Sequence, residues 1–415
     1  MRVFVAETVG QIRNVASAAE ARGVRAGSTL LLLCPKGNPA LANRMAARAE
    51  AFDFSVRRVE TPENPRRPFP ATIRAHVRGV GAALRGERIT ELWISSGRFH
   101  LSWLASAAAA QGARIILYED GLASYRLSDD PLLETPDIGW ALRQAAAAKR
   151  AHGGAARRAL AAGRVGQAAR GAFALARGLG RSLVLAAAVS RAGRSAARLL
   201  AGTGSDAFFR RWTRFDEVWL SFPEAFDATG LEIAEMRRLE TRPEPEAVEQ
   251  ARRALAALPA LADRALFISG FSEPGMAVRH AVAQALAEAG VRRLAVKPHP
   301  REPQAERQQF MKALRRAGID AKKAKQLETL DAEALVETGA FPQIFGVISA
   351  SLLHAIDRRP DLDVRSVGAA ALRRLQARGQ AEARIQRFAD DLALFDRVRD
   401  AILKAQGRDS GRRAP

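Results

Sequence analysis

The sequence predicts an α/β protein of two domains. Its 415 residues exceed what one ordinary core serves and suffice for two domains of roughly 150 to 200 residues each. Short runs rich in branched residues recur, each followed by a turn and a longer helix-like stretch. Several runs are apolar throughout, which suits parallel strands covered by helices on both faces.

In chain order the strand-like runs lie at 3–6, 29–33, 91–95, 114–118 and 217–221, then at 265–269, 293–297, 345–349 and 363–367. Leu30-Leu31-Leu32-Leu33 and Ile115-Ile116-Leu117 are apolar throughout. Between the two sets Pro243, Pro245 and Pro259 surround an Ala/Leu helix, which reads as a connector over 241–263. The N-terminal domain is therefore expected at 1–240 and the C-terminal domain at 264–380. A helix follows at 381–405, with apolar residues at helical spacing, and a disordered tail at 406–415. In sheets of this kind ligands bind beyond the C-terminal strand ends.

Composition narrows the partners. The net charge of +21 attracts anions: nucleic acid, acidic lipid or an acidic sugar polymer. Nucleic acid is the weakest of these, because the basic residues lack interleaved aromatics and no recognition motif occurs. Cys34 is the single cysteine, which excludes an intrachain disulfide and a Cys-based zinc site and fits a reducing cytoplasm. Met1-Arg2-Val3-Phe4-Val5-Ala6 reads as a first buried strand and not as a signal peptide. The apolar stretch 182–190, bounded by Arg181 and Arg191, falls far short of the ~20 residues that span a bilayer.

Residues 141–205 stand apart, with twelve Lys/Arg and no Asp or Glu. Arg143, Arg150, Arg157 and Arg164 recur every seven residues, nearly two helical turns, and so form one stripe. Two readings stand. The segment is a basic helical insert that lies on an anionic surface such as the inner membrane, or a helical hairpin packed on its own domain with a solvated Arg face.

Three turns carry chemistry. Tyr118-Glu119-Asp120-Gly121 follows an apolar run, so two adjacent carboxylates sit at a strand end with Gly121 allowing the turn. Such a carboxylate can take a proton from an attacking hydroxyl, or one of the two can simply cap a helix. Lys297-Pro298-His299-Pro300-Arg301 also ends a strand, with two prolines pinning His299 among positive charges. An imidazole held this way can donate a proton to an anionic leaving group or stabilise its charge. The other five histidines have no such setting; His354, for instance, reads as packed within a helix. Ser349-Ala350-Ser351 begins a helix after a strand, as an anion site or as a plain cap. Gly270 and Ser272, in the loop after 265–269, are candidates to meet a nucleotide, or belong to an ordinary turn. Asp361-Leu362-Asp363, the one Asp-x-Asp, lies after Pro360 and reads as a turn, so no metal site is expected.

Together the three turns resemble the bacterial sialyltransferases and α-2,8-polysialyltransferases, which share a D/E-D/E-G turn, an H-P turn and a Ser-Ser or Ser-Thr pair in that order. The likeness covers roughly 230 residues, from Glu119 to Ser351, and extends to the start, Val5 to Val15, which looks like the family's first strand, loop and helix. It implies the GT-B architecture, two Rossmann-like domains facing across a cleft, and an inverting glycosyltransferase that needs no metal or cofactor. The donor it implies is CMP-sialic acid, and the acceptor a cell-surface glycan of capsule or lipopolysaccharide. By the same resemblance Asp120 is the general base, with Glu119 its neighbour or substitute, and His299 acts on the departing CMP phosphate. Ser349 and Ser351 bind that phosphate, Pro300 sets the histidine, and Lys297, Gly270 and Ser272 complete the donor side. The family's adjacent pair is here Ser349-Ala350-Ser351, which leaves both serines as candidates. Two alternatives stand beside this reading. One is a CMP- or CDP-dependent transferase of another nonulosonic acid, Kdo or glycerol phosphate; the other is a non-catalytic binder of anionic polymer or membrane. The implied location is the cytoplasm, peripheral at the inner membrane.

Overall fold

The computed structural model describes residues 1–24, 27–35, 39–61, 70–97, 99–126, 212–261, 263–270, 276–299, 302–378 and 382–408. The Arg-rich residues 141–205, Ser272, Pro300 and residues 409–415 of the expected tail lie outside them. Contacts divide the chain into two units, Met1–Pro223 with Asp227–Thr241, and Glu224–Phe226 with Arg242–Pro415.

The first unit carries β1 (Arg2–Ala6), β2 (Ser28–Pro35), β3 (Ser55–Thr61), β4 (Glu91–Ile94), β5 (Arg114–Tyr118), β6 (Arg214–Leu220) and β7 (Glu232–Arg238). They form one sheet in the order β3-β2-β1-β4-β5-β6-β7, with every neighbouring pair parallel. Helices α1 (Val9–Ala21), α2 (Pro39–Glu50), α3 (Pro70–Ala83) and α4 (Phe99–Ala109) connect the first five strands. Register sets Phe4 beside both Leu30 and Trp93. The rings of Phe4 and Trp93 lie 4.8 Å apart, and Phe54 and Trp219 close the cluster at 5.7 and 5.8 Å. Burying each such ring contributes on the order of 2 kcal/mol or more.

The second unit holds β8 (Ala265–Ile268), β9 (Arg293–Lys297), β10 (Asp320–Lys322), β11 (Gln343–Gly346) and β12 (Asp363–Ser366), in the order β10-β9-β8-β11-β12 and all parallel. Its helices are α5 (Pro245–Ala256), α6 (Met276–Glu288), α7 (Gln304–Arg316), α8 (Lys325–Thr329), α9 (Ala332–Glu337), α10 (Ala350–Arg358), α11 (Gly368–Ala377) and α12 (Glu382–Ala405). Helix α12 packs on α10 and α11. Its end is capped by Gly407 at φ 67°, with the Arg408 N–H donating to the Leu403 carbonyl at 2.8 Å. Gln406 also donates to the Asp357 carbonyl at 2.8 Å. Residues 406–408, placed by the sequence in the tail, therefore close the helix instead.

Both units are Rossmann-like. In each the strand order reverses once, between β1 and β4 and between β8 and β11, and a reversal opens a crevice at the C-terminal strand ends. Three strands that hydrophobic patterning passes over, β3, β7 and β10, are all sheet edges. Their sequences, SVRRVET, EIAEMRR and DAK, carry charge where a central strand would be apolar. An edge strand keeps one flank in water, and charge there guards against pairing with another chain. Among the described residues no helix is long and apolar enough to cross a membrane.

Candidate active site

Strand β5 delivers Tyr118, Glu119 and Asp120 to the C-terminal edge of the first sheet. The chain turns at Gly121, whose φ of 73° suits glycine. The Asp120 N–H donates to the Ser124 hydroxyl at 2.6 Å, and the Ser124 N–H to the Gly121 carbonyl at 3.0 Å. Asn14 of α1 ties the turn down by donating to the Glu119 carbonyl at 2.8 Å.

The two carboxylates part company here. Glu119 is 2% exposed, and its Oε2 accepts the Ser221 N–H at 2.6 Å and the Tyr125 hydroxyl at 3.1 Å. Burial pushes its carboxyl up, while Ser221, Tyr125 and the charge of Arg13 pull it back. Glu119 thus bolts β5 to the end of β6. Asp120 is only half-buried, so of the two it is the one with surface to offer an incoming group. The Tyr118 hydroxyl, which donates to the Val5 carbonyl at 2.5 Å, lies within reach of its charge. Burial pushes that phenol well above its ordinary value, and the charges of Asp120 and then Glu7 add to the effect.

Glu7 lies in the N-terminal stretch that carries the resemblance but was not among the candidate site residues. It follows β1, and its Oε1 stands 2.9 Å from Nε2 of His100, the second residue of α4. The His100 ring stacks on His76 of α3, with centroids 4.6 Å apart and planes at 13°. His76 is fully buried with no hydrogen bond at either ring nitrogen. Burial first, and then His100, lower its pKa to about 3 against the opposing pull of Glu7, so it stays neutral. The Glu7 N–H donates to Gln11 Oε1 at 2.6 Å, and Gln11 Nε2 donates to the Ser95 hydroxyl after β4 at 3.1 Å. His76 and His100 do lack the proline-pinned setting of His299, and their arrangement comes instead from the packing of α3 and α4. The available signal was a carboxylate directly after the first strand and a histidine soon after the fourth, but only the sheet order makes those strands neighbours. His354 is buried on α10.

In the second unit β9 ends at Lys297 and leads into buried Pro298 and half-buried His299. The His299 N–H donates to Glu302 Oε2 at 3.3 Å, and the Glu302 N–H returns to the His299 carbonyl at 3.0 Å. Glu302 is in turn ion-paired with buried Arg279, which also pairs with Glu306 at 2.8 Å. Lys297 is 4% exposed and donates to the carbonyls of Pro298 and Glu328 at 3.3 and 3.4 Å. Burial lowers its ammonium pKa, opposed by the charges of Asp331 and Glu333. Lys297 therefore props the turn from within.

Ser349 is the N-cap of α10, its hydroxyl accepting the Ser351 N–H at 3.2 Å. The Ser351 hydroxyl donates to Glu333 at 2.9 Å. Gly346 lets α10 approach the sheet: a Cβ there would stand 2.6 Å from Leu352 Cδ1 and 3.0 Å from the Ile268 carbonyl. Across the reversal from Ser349, β8 leads into Ser269 and Gly270, both buried. The Ser269 N–H donates to the Lys297 carbonyl at 3.0 Å, and its buried hydroxyl makes no hydrogen bond within the chain. Asp361 pairs with Arg359 at 2.6 Å and Asp363 with Arg365 at 2.8 Å.

Glu302 and Arg279 hold the His299 turn although neither was legible as a site residue. Glu302→Ala is expected to lower stability by about 2 kcal/mol, since Arg279 keeps Glu306. Amide exchange at His299 should quicken in parallel, read by hydrogen–deuterium exchange; unchanged protection would show the turn to be held otherwise.

A family model described as Alpha-2,8-polysialyltransferase (POLYST) matches residues 4–361. No curated protein sequence matches the chain. Among solved structures, a glycosyltransferase from Rickettsia africae ESF-5 is similar at 8% identity over 97% of this chain and 98% of that one, with a TM-score of 0.44. UGT89C1 of Arabidopsis thaliana complexed with UDP is 11% identical over 98% and 93%, TM-score 0.45. UDP-GlcNAc 2-epimerase from Neisseria meningitidis bound to UDP-GlcNAc is 10% identical over 99% and 100%, TM-score 0.39.

Proposed function

The chain belongs to the alpha-2,8-polysialyltransferase family and is a glycosyltransferase, and from that premise we propose that it moves sialic acid, with inversion, from CMP-sialic acid to a cell-surface glycan of capsule or lipopolysaccharide. The observation that carries this reading is the set of groups at the reversal of the second sheet. The buried Ser269 hydroxyl, the capped N-terminus of α10 at Ser349 and the clamped His299 turn follow three neighbouring strands. A hydroxyl, backbone N–H groups at a helix start and an imidazole suit a nucleotide phosphate.

In this reading the acceptor oxygen bonds to the anomeric carbon as the bond from that carbon to the CMP phosphate oxygen breaks. Asp120 takes the acceptor proton, and the charge gathering on the phosphate is met by His299 and the start of α10. Ser349 is the serine assigned to phosphate, because Ser351 is drawn to Glu333. Lys297 and Glu119 act behind the reacting groups, holding the two turns. The enzyme works in the cytoplasm against the inner membrane, to which the Arg-rich residues 141–205 attach it. Twelve basic residues without one acidic residue there support that placement.

Donor choice tests the proposal. Incubation with CMP-sialic acid, CMP-Kdo and CDP-glycerol is expected to release CMP from the first at a rate well above the other two. Turnover of CMP-Kdo or CDP-glycerol alone would reassign the donor.

A further inference from the structure

We propose that Glu7, oriented by His100, is a second binding group for the hydroxyls of the acceptor sugar, beside Asp120. The inference rests on the transferase reading above and adds to it a site in the first unit.

Position is the first support. Glu7 follows β1 and Ser95 follows β4, the two strands at which the first sheet reverses, and Gln11 bonds to both. Ligands of doubly wound sheets lodge beyond the strand ends at such a reversal. Asp120 follows β5, the next strand over, and the ionisation of Tyr118 feels both Asp120 and Glu7. The two carboxylates thus share one edge of the sheet.

The second support is the histidine pair behind Glu7. A buried polar atom without a hydrogen bond is costly. Here three such atoms adjoin: both ring nitrogens of His76 and Nδ1 of His100. If α3 and α4 needed only packing, apolar rings would serve at lower cost. What the imidazole supplies is the Nε2–H aimed at Glu7, a tautomer assigned from that hydrogen bond. His76, held neutral, stacks flat on the ring and fixes its plane. The Glu7 side chain is 24% exposed against 7% for His100, so the histidine works from inside and the carboxylate faces outward. An oriented carboxylate accepts hydrogen bonds only, and sugar hydroxyls donate them. His100 is therefore a positioning residue and Glu7 the binding group.

The test titrates the full chain, saturated with CMP, with lactose and with 3′-sialyllactose, following the sugar signals by NMR. Wild type is expected to bind at least one of the two, and the preferred sugar tells whether the bound hydroxyls belong to a neutral or a sialylated end. Glu7→Gln and His100→Phe should each weaken that binding about tenfold or more, the loss of a charge-assisted hydrogen bond. His100→Gln, whose amide nitrogen can take the place of Nε2, should stay within about threefold of wild type, and CMP affinity should be unchanged in all three. A merely structural histidine would make the Phe and Gln variants fail alike. Equal sugar binding by wild type and Glu7→Gln, or binding of CMP with neither sugar, overturns the inference while sparing the transferase reading. Failure of wild type to bind CMP at all overturns both.

Discussion

Asp120→Asn is expected to lower sialyl transfer by roughly 10²–10⁴-fold, because the amide cannot take the acceptor proton as the new bond forms. His299→Ala should fall within the same range, for a different reason: the departing phosphate loses its positive or proton-donating partner. The two lesions separate in the absence of acceptor. Slow hydrolysis of the donor by water still needs the phosphate to leave, so His299→Ala should depress it, whereas Asp120→Asn should leave it closer to wild type. CMP release with and without acceptor reads both numbers. Transfer by either variant within tenfold of wild type would remove that residue from the mechanism. Backbone contacts hold both turns: the Asp120 turn through Gly121, Ser124 and Asn14, and the His299 turn through Glu302.

Glu217→Ala should cost about 3 kcal/mol of stability in the first unit, with catalysis untouched in the fraction that remains folded. Glu217 is 2% exposed on β6 and gathers Arg22 at 2.7 Å, Arg114 at 2.5 Å and the Trp219 indole N–H at 2.8 Å. Arg22, the C-cap of α1, also reaches Glu91 at 3.0 Å, so Glu217 and Glu91 together tie the end of α1 to β4, β5 and β6. Its removal leaves positive charges crowded around an empty place. Burial pushes the Glu217 carboxyl up, but the hydrogen bonds of Trp219 and Arg114 and the charges of both arginines outweigh it and hold the group below its ordinary value of 4.5. The sign follows: a depressed carboxylate contributes stability fully above its unfolded value and loses it as pH falls through the folded one. Wild type and Glu217→Gln should therefore differ most at neutral pH and converge only once the pH has fallen through the depressed folded value, which lies below 4.5. Urea unfolding at pH 7 and at steps down through the acid range measures this; a difference that stays constant throughout would show that packing, and not charge, is what Glu217 supplies.

The amino-acid sequence by itself determined the class of fold and the two turns that carry the proposed chemistry. Central strands such as Leu30–Leu33 are apolar throughout, as parallel strands covered by helices on both faces require. Gly121 and Pro298 mark sharp turns at strand ends, so the residues beside them, Asp120 and His299, stand out without any structure. The tertiary structure alone decided which strand ends are neighbours, and with that every pairing across the sheet. Glu7 and His100 lie 93 residues apart, Arg22 and Glu217 lie 195 apart, and Arg279 and Glu302 lie 23 apart. Each of these residues is an ordinary charge or ring in its own local sequence. The edge strands β3, β7 and β10 escaped for a related reason, since a strand with one flank in water need not be apolar, and only its hydrogen-bonded neighbour reveals it. Burial likewise separated Glu119 from Asp120, two carboxylates that are adjacent and nearly equivalent in sequence. The next strand, β6, closes over one of them and leaves the other at the surface, a choice that belongs to packing and has no trace in the order of residues.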